Sequence, residues 1–316
     1  MSGHDARPGR SCPTAYRYPP RTLDRAPEIE AETLLVVGGL YGNVEALAAV
    51  LDLAAREAAP VAIAFNGDFH WFDADPADFA RVQAAVEAHA ATRGNVETEI
   101  AQEDSGAGCG CAYPADVSDA EVARSNEILA RLRETARGFP GARGRLARLP
   151  MNRVARVGGA RVAIVHGDAA SLAGWGFAHG ALDDPAHRRW LESAFAESKA
   201  DLFASSHTCL PAIRAFDFGR GPVAVANNGA ASGPNLAAER FGVATRISVR
   251  PAADALYGTR VAGVHVEAVA VRYDAPAWER RFLAAWPEGT AAHASYHRRI
   301  AQGPAFARER ALPKAA

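Results

Sequence analysis

Apolar residues recur along this chain with two periods. Leu34 to Val37 is a continuous apolar run of the kind a buried strand carries. After Gly38 to Gly42 a helix is predicted from Asn43 to about Glu57, with Leu47, Val50, Leu51 and Ala54 on one face. Val61 to Phe65 repeats the strand pattern. A second amphipathic helix, about Ala77 to Ala90, carries Phe79, Val82 and Val86 and leads into a short strand-like segment ending at Asn95. Strand and helix in alternation predict an α/β sheet.

The pattern changes after Glu97. A glycine-rich loop, Glu103 to Pro114, precedes a helix from Asp119 to about Arg137, so that 97–150 reads as an insertion. Two alternating runs around Gly158 and Gly159 then predict a hairpin whose second strand ends at His166. A helix around Pro185 to Glu197 precedes a strand from Asp201 to Ala204. Strand-like runs follow at Ala212 to Phe216, Pro222 to Ala226, Gly242 to Val249 and Val261 to Tyr273. The expected organisation is a polar N-terminal arm (1–30), one domain (31–274) and an arginine-rich helical tail (275–316).

Composition sets limits on function. With 316 residues and 49% apolar content the chain can bury most of its unfolded surface. A net charge of −1 provides no general field for nucleic acid or an anionic membrane, so neither is an expected partner and an anionic ligand must be held locally. No stretch approaches the ~18 apolar residues of a membrane span, and no apolar block near the N-terminus resembles a signal peptide. Four cysteines (Cys12, Cys109, Cys111, Cys209) are too sparse for a disulfide framework, which favours a reducing, cytoplasmic setting. The oligomeric state is left open.

Candidate chemistry gathers at the predicted strand ends. Asp68, Asn95, His166 and His207 each follow an apolar run, and ligands of open α/β sheets collect outside the carboxyl ends of strands. One carboxylate, one amide oxygen and two imidazoles suit a divalent ion such as Zn, Mn or Fe. With that ion bound the net charge is near +1, attractive to a phosphate or carboxylate oxygen.

On these residues the chain, over roughly 33–250, resembles the calcineurin-like metallophosphoesterases, in particular their compact bacterial phosphodiesterase branch. The matching segments are Gly39-Leu40-Tyr41-Gly42-Asn43, Gly67-Asp68, Gly94-Asn95-Val96-Glu97, His166-Gly167 and Ser206-His207-Thr208-Cys209, with Asn227 to Gly233 like the family's late turn. The resemblance implies a sandwich of two mixed β-sheets flanked by helices, a divalent metal cofactor, and hydrolysis of small phosphomonoesters or phosphodiesters. It also implies two ions. The set for one survives as Asp68, Asn95, His166 and His207, whereas Gly39, Tyr41 and Cys209 replace three ligands of the other.

Where the family has a proton-donating histidine this chain has Val96. His70 is the nearest substitute in sequence, although the turn Phe69-His70-Trp71-Phe72-Asp73 can equally hold a packed histidine. Thiolate is a good Zn or Fe ligand, so Cys209 is a further candidate metal ligand, rebuilding a second site with Asp68 and Cys109 or Cys111. The alternative is a small buried Cys209 and an exposed Cys109-Gly110-Cys111 loop closed by a local disulfide. Trp71 and Phe72 are expected to line the site mouth or pack on the following helix, His179 to sit in a turn or reach a substrate, and Arg298, Arg299 and Arg308 to Arg310 to form a solvated helix face. Three functions compete: a metal-dependent phosphoester hydrolase, an inactive phosphoesterase-like binding module, and a metal store or sensor.

Overall fold

The computed structural model describes residues 7–58, 60–103 and 105–313. The first six residues of the expected arm and the last three of the tail lie outside these.

The first half alternates strand and helix as its periodicity predicts: β1 (Ile29–Ala31), β2 (Thr33–Val37), α1 (Val44–Ala55), β3 (Val61–Asn66), α2 (Pro76–Glu87) and β4 (Ala90–Thr92). Local chemistry sets the helix starts. Asn43 caps α1 by accepting from the Glu45 and Ala46 amides, and Asp75 caps α2 just before Pro76, whose fixed φ suits a first helical position. The inserted region forms α3 (Asn95–Ala101), α4 (Asp119–Arg137) and α5 (Pro140–Arg148), with Ser118 and Glu121 making a reciprocal cap at the start of α4.

The expected hairpin is β5 (Asn152–Val157) and β6 (Ala160–Val165), followed by α6 (His179–Leu182), α7 (Arg188–Ser198) and β7 (Leu202–Ser205). Next come β8 (Ala212–Asp217), β9 (Pro222–Asn227), β10 (Gly242–Ser248), β11 (Tyr257–Val261), β12 (Val264–Val271), α8 (Ala275–Ala285) and α9 (Ala291–Gln302).

The strands form two six-stranded mixed sheets, ordered β11-β12-β10-β2-β3-β4 and β1-β5-β6-β7-β9-β8. In the first, β2, β3 and β4 are parallel; in the second, β6, β7 and β9 are parallel. Alternation along β2 shows the layering: Leu34 and Val36 pack between the sheets, whereas Leu35 and Val37 pack under the helices. A third apolar cluster joins the outer face of the second sheet to α7 through Phe195, Phe203 and Val225. This is an α/β sandwich of two mixed sheets flanked by helices, as expected.

Four expectations change. Residues 7–30 of the N-terminal arm are built into the fold, with Leu23 fully buried and β1 paired in parallel with β5. Asn95 does not end a strand; it opens α3. The expected run from Val261 to Tyr273 belongs to a hairpin that turns at Ala262 and Gly263, both at positive φ (47° and 83°). Leu51, placed on the inner face of α1, is 36% exposed.

Candidate metal centre

The carboxyl ends of β3, β6 and β7 and the start of α3 converge at one point. Asp68 follows β3 through Gly67, and both residues occupy the left-handed region (φ 52° and 71°), which turns the carboxylate back toward the sheet ends. Close approach also depends on Gly94, where a Cβ would stand 2.2 Å from Asp68 Oδ1. His166 directly follows β6, and His207 lies two residues beyond β7 with its amide donating to the His166 carbonyl (3.0 Å).

His166 Nε2 is the hub. It lies 3.3 Å from Asp68 Oδ2, 3.2 Å from Asn95 Oδ1 and 3.2 Å from His207 Nδ1. All four residues are buried. Their outer atoms fix their polarity. His166 Nδ1 donates to the Asn66 carbonyl (2.9 Å), His207 Nε2 to the Cys111 carbonyl (3.0 Å), and Asn95 Nδ2 to the Cys109 carbonyl (2.9 Å). With neutral imidazoles these bonds aim four lone-pair-bearing atoms at one another. A single proton on His166 Nε2 has three acceptors competing for it, none closer than 3.2 Å.

A cation satisfies all four atoms together. Ligands about 2.1 Å from a tetrahedral ion stand about 3.4 Å apart, close to these spacings. The carboxylate and two imidazoles are also the one group of three or more His, Cys, Asp or Glu side chains among the described residues whose ligand atoms lie within 4.8 Å of one another. The donor set therefore fits a divalent ion.

Electrostatics agree with a site that demands positive charge. Burial by itself would raise the Asp68 carboxyl, but His166, then His207 and the Val96 amide, outweigh it and leave it below its usual range. Burial would lower His166, but Asp68 outweighs it and leaves the imidazole above its ordinary value. Burial and the neighbouring His166 push His207 down to about 4.

Glu97 ties the loops together. Its buried carboxylate accepts from the amides of Asp68 (2.7 Å), Gly94 (2.8 Å) and His70 (3.2 Å). Burial and the nearby Asp68 raise its proton affinity. The matched motif Gly94-Asn95-Val96-Glu97 contains Glu97, but its residue types alone do not signal this positioning role.

Two expected site residues stand outside the ligand cluster. His70 is fully buried, with Nδ1 at 2.6 Å from Asp73, Nε2 at 2.9 Å from Gln83 and its ring stacked on Phe79. Both nitrogens are engaged and it does not line the cavity described below, so His70 is not placed to protonate a substrate. Cys209 is outside the converging group; its Sγ lies 2.8 Å from the Tyr41 hydroxyl. Nor do the other thiols join it, because Cys109 and Cys111 form a disulfide and are buried rather than exposed.

The cluster opens into a cavity of about 180 Å³. Asp68, Asn95 and His207 lie on its wall with Val96, Tyr41 and Cys209, and Trp71 and Phe72 line it as expected. The remainder comes from parts the sequence placed outside the site: Cys111 and Tyr113 of the insertion, Trp175, and Trp278, Tyr296, Arg299 and Ile300 of the C-terminal helices. Arg299, expected on a solvated face, thus lines the cavity. Its signal was faint: Ala292, Tyr296 and Ile300 form an apolar stripe along α9 that seats the helix here. His179 is not among the lining residues.

The two-sheet sandwich with this cluster at its strand ends has the fold of the metallophosphoesterases. Solved structures similar to it include a metallophosphoesterase from Sphaerobacter thermophilus, at 19% identity and TM-score 0.53, covering 87% of this chain and 100% of that one. Another is a hypothetical protein from Pyrococcus horikoshii OT3, at 16% identity and TM-score 0.57, covering 86% of this chain and 98% of that one. No protein-family model matches the chain, and no curated protein sequence does. No helix among the described residues is long and apolar enough to cross a membrane.

Proposed function

We propose that this protein is a metal-dependent hydrolase of small phosphoesters that works with one divalent ion, Zn, Mn or Fe, held by Asp68, Asn95, His166 and His207. The observation that carries this reading is the convergence of three acceptor atoms on His166 Nε2 at 3.2–3.3 Å, at the wall of an open cavity. Bound there, the ion supplies Lewis-acid polarisation of an ester oxygen. The chain's own groups do the rest. Aromatic walls flank the ligands, Arg299 supplies a cation, and the Asn66, Cys109 and Cys111 carbonyls hold the ligands in register.

The second ion implied by the motif resemblance has no counterpart in this reading. Tyr41 and Cys209 satisfy each other, and burial raises both of their proton affinities, keeping the pair neutral. Val96 in place of a proton donor favours a second reading, a binding module that holds a phosphorylated ligand without turnover. Metal-loaded protein incubated with bis(4-nitrophenyl) phosphate decides between them, with Asp68→Ala as control. Turnover lost in Asp68→Ala supports the hydrolase, and no turnover with Zn, Mn or Fe supports the binding module.

A further inference from the structure

The cavity has three properties that must be read together. Trp71, Phe72, Tyr113, Trp175, Trp278 and Tyr296 surround a space of about 180 Å³. A cavity of roughly 150 Å³ accommodates a benzene ring, so this chamber takes a body of about ring size. Its lone cation is Arg299, whose Nε and Nη2 donate to the carbonyls of Pro234 (3.0 Å) and Cys209 (2.7 Å) and which has no carboxylate partner among the described residues. Finally, apart from Asp68 and His207 of the metal-type cluster, no imidazole or carboxylic acid lines the chamber.

The proton donors that remain on the wall, the Tyr41, Tyr113 and Tyr296 hydroxyls and the Cys209 thiol, are weak acids, and Tyr41 and Cys209 are already engaged with each other and Tyr113 with Ser125. Donors this weak restrict the leaving group. An alkoxide is nearly as basic as hydroxide (conjugate-acid pKa ~15.7) and needs a proton as it departs. A phenolate, from an acid of pKa ~10, leaves without one. The aromatic walls and the lack of a free carboxylic acid or imidazole are separate observations, and both favour the same leaving group. Aromatic boxes also bind quaternary ammonium groups, but Arg299 on the same wall repels a cation.

Resting on the hydrolase reading above, we propose that the chamber is a specificity pocket for phosphoesters of phenols, its aromatic walls enclosing the aryl group while Arg299 holds the anionic phosphoryl oxygens. In the reaction a water oxygen bonds to phosphorus and the phosphorus–aryl oxygen bond breaks. Its electron pair departs on the phenolate, and the water proton is released to solvent.

Binding of non-hydrolysable probes tests the pocket separately from catalysis. Tryptophan fluorescence titrations would use phenylphosphonate, methylphosphonate and phosphocholine, with and without Mn. Phenylphosphonate is expected to bind at least about tenfold more tightly than methylphosphonate, given the apolar area a ring buries. Tyr296→Ala and Trp175→Ala should each shrink that ratio, and Arg299→Met should weaken both phosphonates alike, in variants whose melting confirms folding. Equal binding of the two phosphonates, or tighter binding of phosphocholine, overturns the proposal. Calorimetric titration of Mn alone reports on the hydrolase reading, so failed metal uptake with intact ring selectivity in chelator sinks that reading and leaves the pocket standing. With metal bound, turnover of phenyl phosphates should rise as the phenol becomes more acidic; a rate indifferent to phenol acidity counts against the leaving-group argument.

Discussion

The Tyr41 hydroxyl lies 2.8 Å from the Cys209 thiol, and both residues hold positive φ (50° and 58°). Left-handed backbone is uncommon for side chains of this size and persists where surrounding structure enforces it. Asp68 is the third such residue on the cavity wall, at φ 52°. The loops therefore keep a shape that aims side chains into the site, while at Tyr41 and Cys209 the groups aimed inward pair with each other.

That pairing makes Cys209 dispensable for metal uptake. Cys209→Ser is expected to leave the bound Mn or Zn per chain unchanged, measured by elemental analysis after dialysis. Loss of metal would return the thiol to the ligand set.

Metal should act as a stabiliser through the four converging ligands. An ion at about a hundred times its dissociation constant stabilises the folded state by about 2.7 kcal/mol if the unfolded chain does not bind it. Zn or Mn should raise the melting temperature of the wild type by several degrees, chelator should reverse it, and Asp68→Asn should show no shift. Equal shifts in the two proteins would place the ion elsewhere.

Much of the sandwich was legible because its strands are continuous or alternating apolar runs and its helices carry caps at their starts; α4 begins at Asp119, as its pattern predicts. The turn at Ala262 was not, because alanine carries no signature for positive φ (47°). Asp68, Asn95, His166 and His207 were found from residue type and order, and the structure brings them together. The cavity wall beyond Trp71 and Phe72 was not, since Tyr113, Tyr296 and Arg299 reach it only through tertiary packing of segments whose local pattern reads as loop or surface helix.

His70 belongs to stability rather than chemistry. Removing one partner of a buried charged pair costs about 3–5 kcal/mol, and His70→Ala would leave Asp73 buried without its 2.6 Å partner. Burial lowers the proton affinity of His70, but Asp73 outweighs it and leaves it above the ordinary value. The charged pair therefore contributes fully below the unfolded pKa, ~6.5, and fades as pH rises through the higher folded value. Chemical denaturation across this range should show the deficit of His70→Ala shrinking with rising pH. A deficit that grows with pH would contradict the assignment.

Glu97 is the sharper probe of how the site is held. Its carboxylate gathers the amides of Asp68, Gly94 and His70, so that one side chain fixes both loops that deliver Asp68 and Asn95. Glu97→Gln keeps the size of the side chain but turns one acceptor oxygen into an amide donor, which must then face backbone N–H groups. Hydrogen bonds to charged groups contribute about 1.5–3 kcal/mol, so a stability loss of that order is expected. Mispositioned supporting groups typically cost 10–100-fold in metal affinity, and calorimetric titration of Mn should show a loss in that range with stoichiometry unchanged. Gly94→Ala provides the comparison, because its Cβ would meet Asp68 Oδ1 directly and should weaken Mn without disturbing the Glu97 carboxylate's charge. If Glu97→Gln melts earlier yet binds Mn as tightly as the wild type, Glu97 holds the fold and not the ligands.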